Sequence, residues 1–390
     1  MKKFAIFALV IFALFIKNLD AKTLAYVFDF STLSIKVYDV QTKVQVDEIP
    51  IGHAVNFITM RPGDQEIWAS AEATDNIYVI DIFTKSIVKT FNLGLQVGKI
   101  TFSQDGNFAF TASSSGSFTS GQALKIDANL HTLVFSTPVG VSPRDNLLSP
   151  DGSRLYVGNH RGSIDVNVIN TSNGSTIQNV NYGGFKPQNL ELSENGDKIY
   201  VANSGSGGQN TITILSTLDF SILATIHLPK QPIYLKLLES KNLLYCYSND
   251  HPHDVYAIDL TTNNIIDIIY SGPGGGHGML DLTPDLQELW IVDHNSDILR
   301  IVDTNSNAVK DTIGPGFFIW MGFGESLSQP PTASAGPDST YECTTPSGTE
   351  VTLNALCLLR SRQRSPHLRL ARERVYHCRT NSKSNFRRYA

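Results

Sequence analysis

Seven aromatic residues recur along the chain at nearly constant spacing: Tyr26, Trp68, Phe110, Tyr156, Tyr200, Tyr245 and Trp290, at intervals of 42, 42, 46, 44, 45 and 45 residues. Each stands at the same place in a repeated pattern. An apolar stretch runs into a Ser/Pro/Asp/Gly turn, the aromatic opens a second apolar stretch, and a third, alternating stretch ends in Asp or Asn. A period of about 40–45 residues built from short strand-like runs is that of a β-propeller, one four-stranded blade per copy. The period constrains architecture tightly and function hardly at all.

The copies superimpose in sequence. Leu147-Leu148-Ser149-Pro150-Asp151-Gly152-Ser153-Arg154-Leu155-Tyr156-Val157-Gly158-Asn159 lies over Glu191-Leu192-Ser193-Glu194-Asn195-Gly196-Asp197-Lys198-Ile199-Tyr200-Val201-Ala202-Asn203. Asp-Gly and Asn-Gly supply the positive φ that a tight hairpin needs. Third strands are expected at residues 76–81, 163–170, 211–215, 254–259 and 297–303, where β-branched residues alternate. The stretch from Leu24 to Gly52 holds the second, third and fourth strands of a copy with no first strand before them. Residues 317–324 read as a first strand with no partners after it. Joined, they complete a seventh blade and remove the open sheet edge. The expected fold class is therefore all-β, a seven-bladed propeller over residues 22–324, closed by one C-terminal and three N-terminal strands.

Tyr156-Val157-Gly158-Asn159 and Tyr200-Val201-Ala202-Asn203, each after a Ser-x-(Asp/Asn)-Gly turn, resemble the YVTN-type repeats of seven-bladed propellers. The likeness covers most of the ring and weakens in blades three and six, at Phe110-Thr111-Ala112 and Tyr245-Cys246-Tyr247. The resemblance implies a secreted or cell-surface protein. It implies no reaction, since that family joins surface proteins to relatives with amine-dehydrogenase or lactonase chemistry.

Lys2 and Lys3 precede an apolar run at residues 4–16. The run is too short to span a bilayer and placed as the core of a signal peptide over residues 1–21, with an uncleaved anchor as the alternative. No membrane span is expected beyond it, and the protein is expected outside the cytoplasm, secreted, at the cell surface or in a periplasm.

After the ring, residues 325–337 read as a Pro-rich linker. Residues 338–355 resemble the opening of a PKD-like immunoglobulin module. The chain then turns abruptly basic: residues 356–390 hold ten Lys/Arg and one acid, so the first 355 residues carry −14 of a whole-chain charge of −5. Shifted by one nucleotide within permitted codons, residues 360–370 spell Asp-Pro-Asp-Asn-Asp-Pro-Leu-Thr-Tyr-Ala, the continuation such modules have. The basic stretch is read as a frameshift product that does not fold. An acidic body argues against nucleic acid as a partner.

Chemistry-bearing motifs are sparse. There is no CxxC, no haem-attachment motif and no nucleophile elbow, and Cys246, mid-strand between two tyrosines, reads as core. The histidines, among them His160 and His294 at one repeat position, are spread one or two per blade, so neither a metal nor any other cofactor is expected. Gly272 to Gly278 reads as a glycine-rich inter-blade loop. Polar candidates for the mouth of the channel are His53, Arg144, Asp145, Lys186, Asn189 and His277, near inner-strand entries, with no catalytic residue among them. The leading expectation is a monomeric, non-enzymatic binding scaffold for an unknown protein, glycan or small molecule. A lactonase-type hydrolase or dehydrogenase subunit is the alternative.

Overall fold

The computed structural model describes residues 22–325, apart from 64, 72, 115–119, 184–185, 206–209, 251, 273–277 and 294–296. His277, His294, most of the glycine-rich loop, the signal peptide, the linker, the module and the basic tail lie outside the described residues. Seven antiparallel four-stranded sheets are arranged as blades in chain order. The inner strands are Phe318–Glu325, Phe57–Met60, Gln96–Phe102, Val141–Leu148, Pro187–Leu192, Pro232–Leu238 and Gly278–Leu282, for blades one to seven. Blade one is the closing blade: Phe318–Glu325 pairs with Thr23–Asp29, Tyr26 opposite Gly322, and Ser34–Asp39 and Gln45–Pro50 follow outward. The third strand of blade four is shorter than expected, Val166–Asn170. The Asp165 carboxylate beside it accepts from the backbone N–H groups of Tyr182 and Gly183, which ties the residue to the connector into blade five.

The Ser-x-(Asp/Asn)-Gly turn has a physical reason. In blades three, four, five and seven the hydroxyl of Ser103, Ser149, Ser193 or Thr283 donates to the Asp or Asn two residues on, at 2.6, 2.5, 2.9 and 2.6 Å. The same hydroxyl accepts from the N–H that starts the second strand, at Phe108, Arg154, Lys198 or Glu288. Gly106 shows why glycine follows: its φ is +71°, and a Cβ would lie 2.4 Å from the Pro62 carbonyl of the previous blade. Blade seven uses Leu286 at φ +61° in that place.

The core is a ring of layers rather than one mass. Seven hydrophobic clusters each straddle one seam between neighbouring blades. The seven repeated aromatics lie within second strands, none more than 4% exposed. Each buries about 150–250 Å² of ring, roughly 4–6 kcal/mol as an upper figure. Burial pushes the Tyr26, Tyr200 and Tyr245 hydroxyls up to about 12. Cys246 is fully buried in the seam between blades five and six.

In blades two to seven the turns between first and second and between third and fourth strands share one face of the ring, with the single third-to-fourth turn of blade one, and the inter-blade connectors share the other with the loops between second and third strands. On the hairpin face every seam carries a side-chain fastening. Lys85 meets Asp47 at 2.6 Å, Arg61 Nε donates to the Gly106 carbonyl at 2.8 Å, and Lys125 Nζ donates to the Thr171 carbonyl at 2.9 Å. Arg154 donates to the Thr217 carbonyl at 3.2 Å, the Glu194 N–H to Glu239 at 2.7 Å, and Lys241 to Thr304 at 2.8 Å. Lys43 closes the circle on Glu288 at 2.5 Å, its ammonium 5.2 Å from the centre of the Trp290 ring.

Candidate functional site

Pairing with the repeated aromatics fixes one residue of each inner strand: Gly322, Thr59, Thr101, Leu147, Glu191, Lys236 and Asp281 in blades one to seven. Two residues earlier stand Trp320, Phe57, Lys99, Asp145, Asn189, Tyr234 and Met279. Side chains two apart share a sheet face, so these two sets form two tiers around the channel.

One arc of the tiers is polar. Lys99 pairs with Asp145 at 2.9 Å, and the other Asp145 oxygen accepts from Asn189 Nδ2 at 2.6 Å and from the Leu190 N–H at 2.9 Å. Asn189 Oδ1 accepts from the Leu235 N–H at 2.8 Å, and Glu191 from the Leu237 N–H at 3.3 Å. Carboxylates and amides of one blade thus satisfy the bare backbone edge of the next inner strand, an edge that has no further strand to pair with. Lys236 bonds Asp281 at 2.8 Å and stands 4.0 Å from Glu191. The close Asp281 carboxylate holds the Lys236 ammonium charged to well above its ordinary range. Burial pushes the Glu191 carboxyl up, and Lys236, at the longer distance, offsets only part of that.

The other arc is aromatic. Trp320 lies 4.5 Å from Phe57 and 5.5 Å from Tyr234, centre to centre. Tyr234 comes from blade six and Trp320 from blade one, so the two rings meet in front of Met279 of blade seven. The Met279 sulfur accepts from the Met321 N–H at 3.2 Å.

A second constellation lies on the connector face, over blades four and five. Arg144 is exposed in a bulge between Pro143 and Asp145 of the inner strand. His160 is the last residue but one of the neighbouring strand, which Arg161 ends, and Lys186 enters blade five with φ +58°. Burial first, then the charges of Arg144, Lys186 and Arg161, push the His160 imidazole down to about 4, against the pull of the Pro187 carbonyl. Its Nδ1 is buried and has no hydrogen-bond partner.

Of the sequence candidates, Asp145 and Asn189 are therefore in direct contact, and Arg144 and Lys186 act on one imidazole. His53 is exposed and stacks on Tyr78 of blade two, rings 4.7 Å apart and 8° from parallel. Sequence reasoning missed Lys99, Glu191, Lys236, Asp281, Tyr234, Phe57 and Trp320. Their signal was the register itself, one fixed offset from each repeated aromatic. Among the described residues no three metal-ligating side chains group together.

No protein-family model matches this chain, and no curated protein matches its sequence. Solved structures match its shape. The dihydro-heme d1 dehydrogenase NirN aligns with TM-score 0.58 and 13% identity over 77% of this chain and 74% of that one. A functionally unknown protein from Desulfotomaculum acetoxidans gives 0.64 and 14%, over 77% and 98%. Hydrazine synthase from Kuenenia stuttgartiensis gives 0.58 and 18%, over 73% and 90%. The chain is a seven-bladed β-propeller, and at these identities the likeness extends to the fold alone. No helix among the described residues is long and apolar enough to cross a membrane.

Proposed function

We propose that the ring is an extracytoplasmic binding propeller that takes its ligand on the connector face over blades four and five. One observation carries this reading: the ionised groups of the channel are engaged with each other and with inner-strand backbone. Asp145 accepts from Lys99, Asn189 and Leu190, and Lys236 is held by Asp281. A reaction centre needs acid, base or nucleophile converging on an open position, whereas this arrangement fixes the lumen in place. Arg144, in contrast, projects from its bulge into solvent. The charged −14 body and the weak, surface-protein-like repeats fit display outside the cell better than a nucleic-acid role.

The alternative, a propeller enzyme, draws on Glu191. A partly buried carboxyl held above its usual range beside a lysine has the form of a general acid, and two of the structural neighbours carry enzyme names. The full chain, applied to immobilised panels of acidic and neutral extracellular polysaccharides, separates the two. Binding that disappears in Arg144→Ala and survives in Glu191→Gln supports the scaffold. Binding or turnover of a panel member that depends on Glu191 and ignores Arg144 supports the enzyme.

A further inference from the structure

The ionic frame of the channel stops short of blade one. In blade five the Glu191 carboxylate accepts from the Leu237 N–H of the next inner strand. Asp281 holds the place of Glu191 in blade seven, and Phe323 that of Leu237 in blade one. Asp281 nevertheless turns back to Lys236: its contacts with Lys236 at 2.8 Å and with the Leu282 N–H at 2.9 Å both engage Oδ1. Among the described residues none reaches Oδ2. N–H groups on one edge of a strand recur at every second residue, so the Phe323 N–H faces the lumen as the Met321 N–H does, which meets the Met279 sulfur.

Gly322, beside Phe323, leaves the lower tier without a side chain, and a Cβ there would meet nothing within 4 Å. It lies in a strand and has no positive φ. The backbone therefore does not require glycine here, and what glycine provides is space. In the adjoining tier stands Trp320, flanked by Phe57 at 4.5 Å and Tyr234 at 5.5 Å, all three rings half-buried. The Lys236 and Asp281 side chains keep 32% and 25% of their surface, so solvent reaches this depth. Lys99 with Asp145 and Lys236 with Asp281 match charge for charge, and burial favours neutral Glu191. A charged ligand would give up hydration here for no unmatched counter-charge. An open acceptor, an open donor and aromatic rings suit a group with hydroxyls on one side and C–H on the other.

We propose that the space at Gly322, bounded by Trp320, Asp281 and the Phe323 N–H, is a binding site for a neutral sugar residue. The apolar face of the sugar lies on Trp320, one hydroxyl donates to Asp281 Oδ2, and another accepts from the Phe323 N–H. Lys236 holds the carboxylate in place beforehand, so little ordering is left for the moment of binding. The site is separate from the surface over blades four and five and does not rest on it.

The chain has three tryptophans, and Trp68 and Trp290 are fully buried, so acrylamide quenching of tryptophan fluorescence reports Trp320. The test applies it to the full chain with the methyl glycosides of glucose, galactose, mannose and N-acetylglucosamine, and with choline and glucuronate as charged probes. At least one neutral glycoside is expected to lower the quenching constant twofold or more, saturably, while choline and glucuronate leave it unchanged. Gly322→Val fills the space and should abolish that protection, and Gly322→Ala should weaken it, both with the circular dichroism spectrum of the wild type. Arg144→Ala should leave it intact. Protection by none of the glycosides, undiminished protection in folded Gly322→Val, or stronger protection by choline or glucuronate would each overturn the inference. Titration calorimetry on the wild type needs no variant: saturable heat with the protecting glycoside supports the site, and its absence overturns it. Protection lost in Arg144→Ala would move the sugar to the connector face and end the proposal for the lumen, while the reading of blades four and five keeps its own test.

Discussion

The two faces of the ring are fastened differently. On the hairpin face side chains bridge all seven seams, from Lys85 on Asp47 to Lys43 on Glu288. On the connector face the described contacts mostly hold a connector to the blade it joins. Tyr182 N–H reaches Asp165 at 2.8 Å, the Gly140 N–H reaches Asn167 at 2.8 Å, and the Gln231 N–H reaches Asp250 at 2.8 Å. Hairpin turns are short and repeat, so Arg61, Lys125 and Arg154 each reach the carbonyl just past the third strand of the next blade, at Ala128, Thr171 and Thr217. Connectors differ from blade to blade and can carry different side chains without loosening a seam. Closure is thus concentrated at one end of the ring and variation at the other, which is why a binding surface is sought among the connectors.

Removing the closing strand should have the largest effect. A chain ending at Gly316 loses every partner of Thr23–Asp29 on its inner side, with Phe318 and Met321 from the seam between blades seven and one. Thermal melting should fall by more than about 10 °C, or the ring should fail to assemble, given several kcal/mol of lost burial. An unchanged melting temperature would mean that the seam clusters hold the ring without that strand.

Next comes a matched pair of arginines. Arg61, only 7% exposed, donates to the carbonyls of Gly106 and Ala128 across the seam between blades two and three. Arg61→Met should cost about 2–3 kcal/mol in denaturant unfolding, because those carbonyls lose a charged donor. Arg144→Met on the opposite face should stay within about 0.5 kcal/mol. Equal costs would erase the distinction between the faces.

An effect of comparable size belongs to pH. His160 titrates at about 4 in the folded protein against 6.5 ordinarily, so the unfolded chain takes up its proton first. Its share of stability is therefore whole above pH 6.5 and is lost as pH falls from 6.5 towards 4. Melting curves across that interval should be flatter for His160→Gln than for the wild type. Identical slopes would place the imidazole in open solvent.

The smallest change is expected in the channel. Burial raises the Glu191 carboxyl, so the folded state favours its neutral form and loses stability as pH rises through its titration. Glu191→Gln keeps an acceptor for the Leu237 N–H and removes the costly charge. At pH 7.5 it should be neutral or slightly stabilising, within about 1 kcal/mol. A loss beyond that would show that Lys236 depends on Glu191 as well as on Asp281.

The division between legible and illegible residues follows the same physics. Every blade must fill a seam and turn a hairpin, so Tyr156, Ser149 and Gly152 recur and could be aligned within one sequence. The closing strand was legible because Phe318 and Trp320 had no other place in the count. Channel residues carry no such redundancy: Glu191, Lys236 and Asp281 occupy equivalent places with three different side chains. They were invisible as a motif because each is matched in charge to its counterpart in the adjoining blade, Lys236 between Glu191 and Asp281, instead of being repeated from blade to blade. His160 was noticed only as a loop histidine, since its burial depends on the connector that brings Lys186 over it. Asp145 and Asn189 were found from their position at inner-strand entries, but the backbone edge they cover is a property of the ring.

The pairing of Phe318–Glu325 with Thr23–Asp29 also sets an order in time. Contacts separated by nearly the whole ring are the slowest to form, because loop closure must precede any gain from them. Blades two to seven each consist of consecutive strands and can assemble as they emerge. Blade one cannot: its three outer strands wait, with an inner edge unpaired, until the last strand arrives. During that wait the growing array is an open horseshoe with an adhesive end, and whatever escorts this chain to its destination has that one edge to shield.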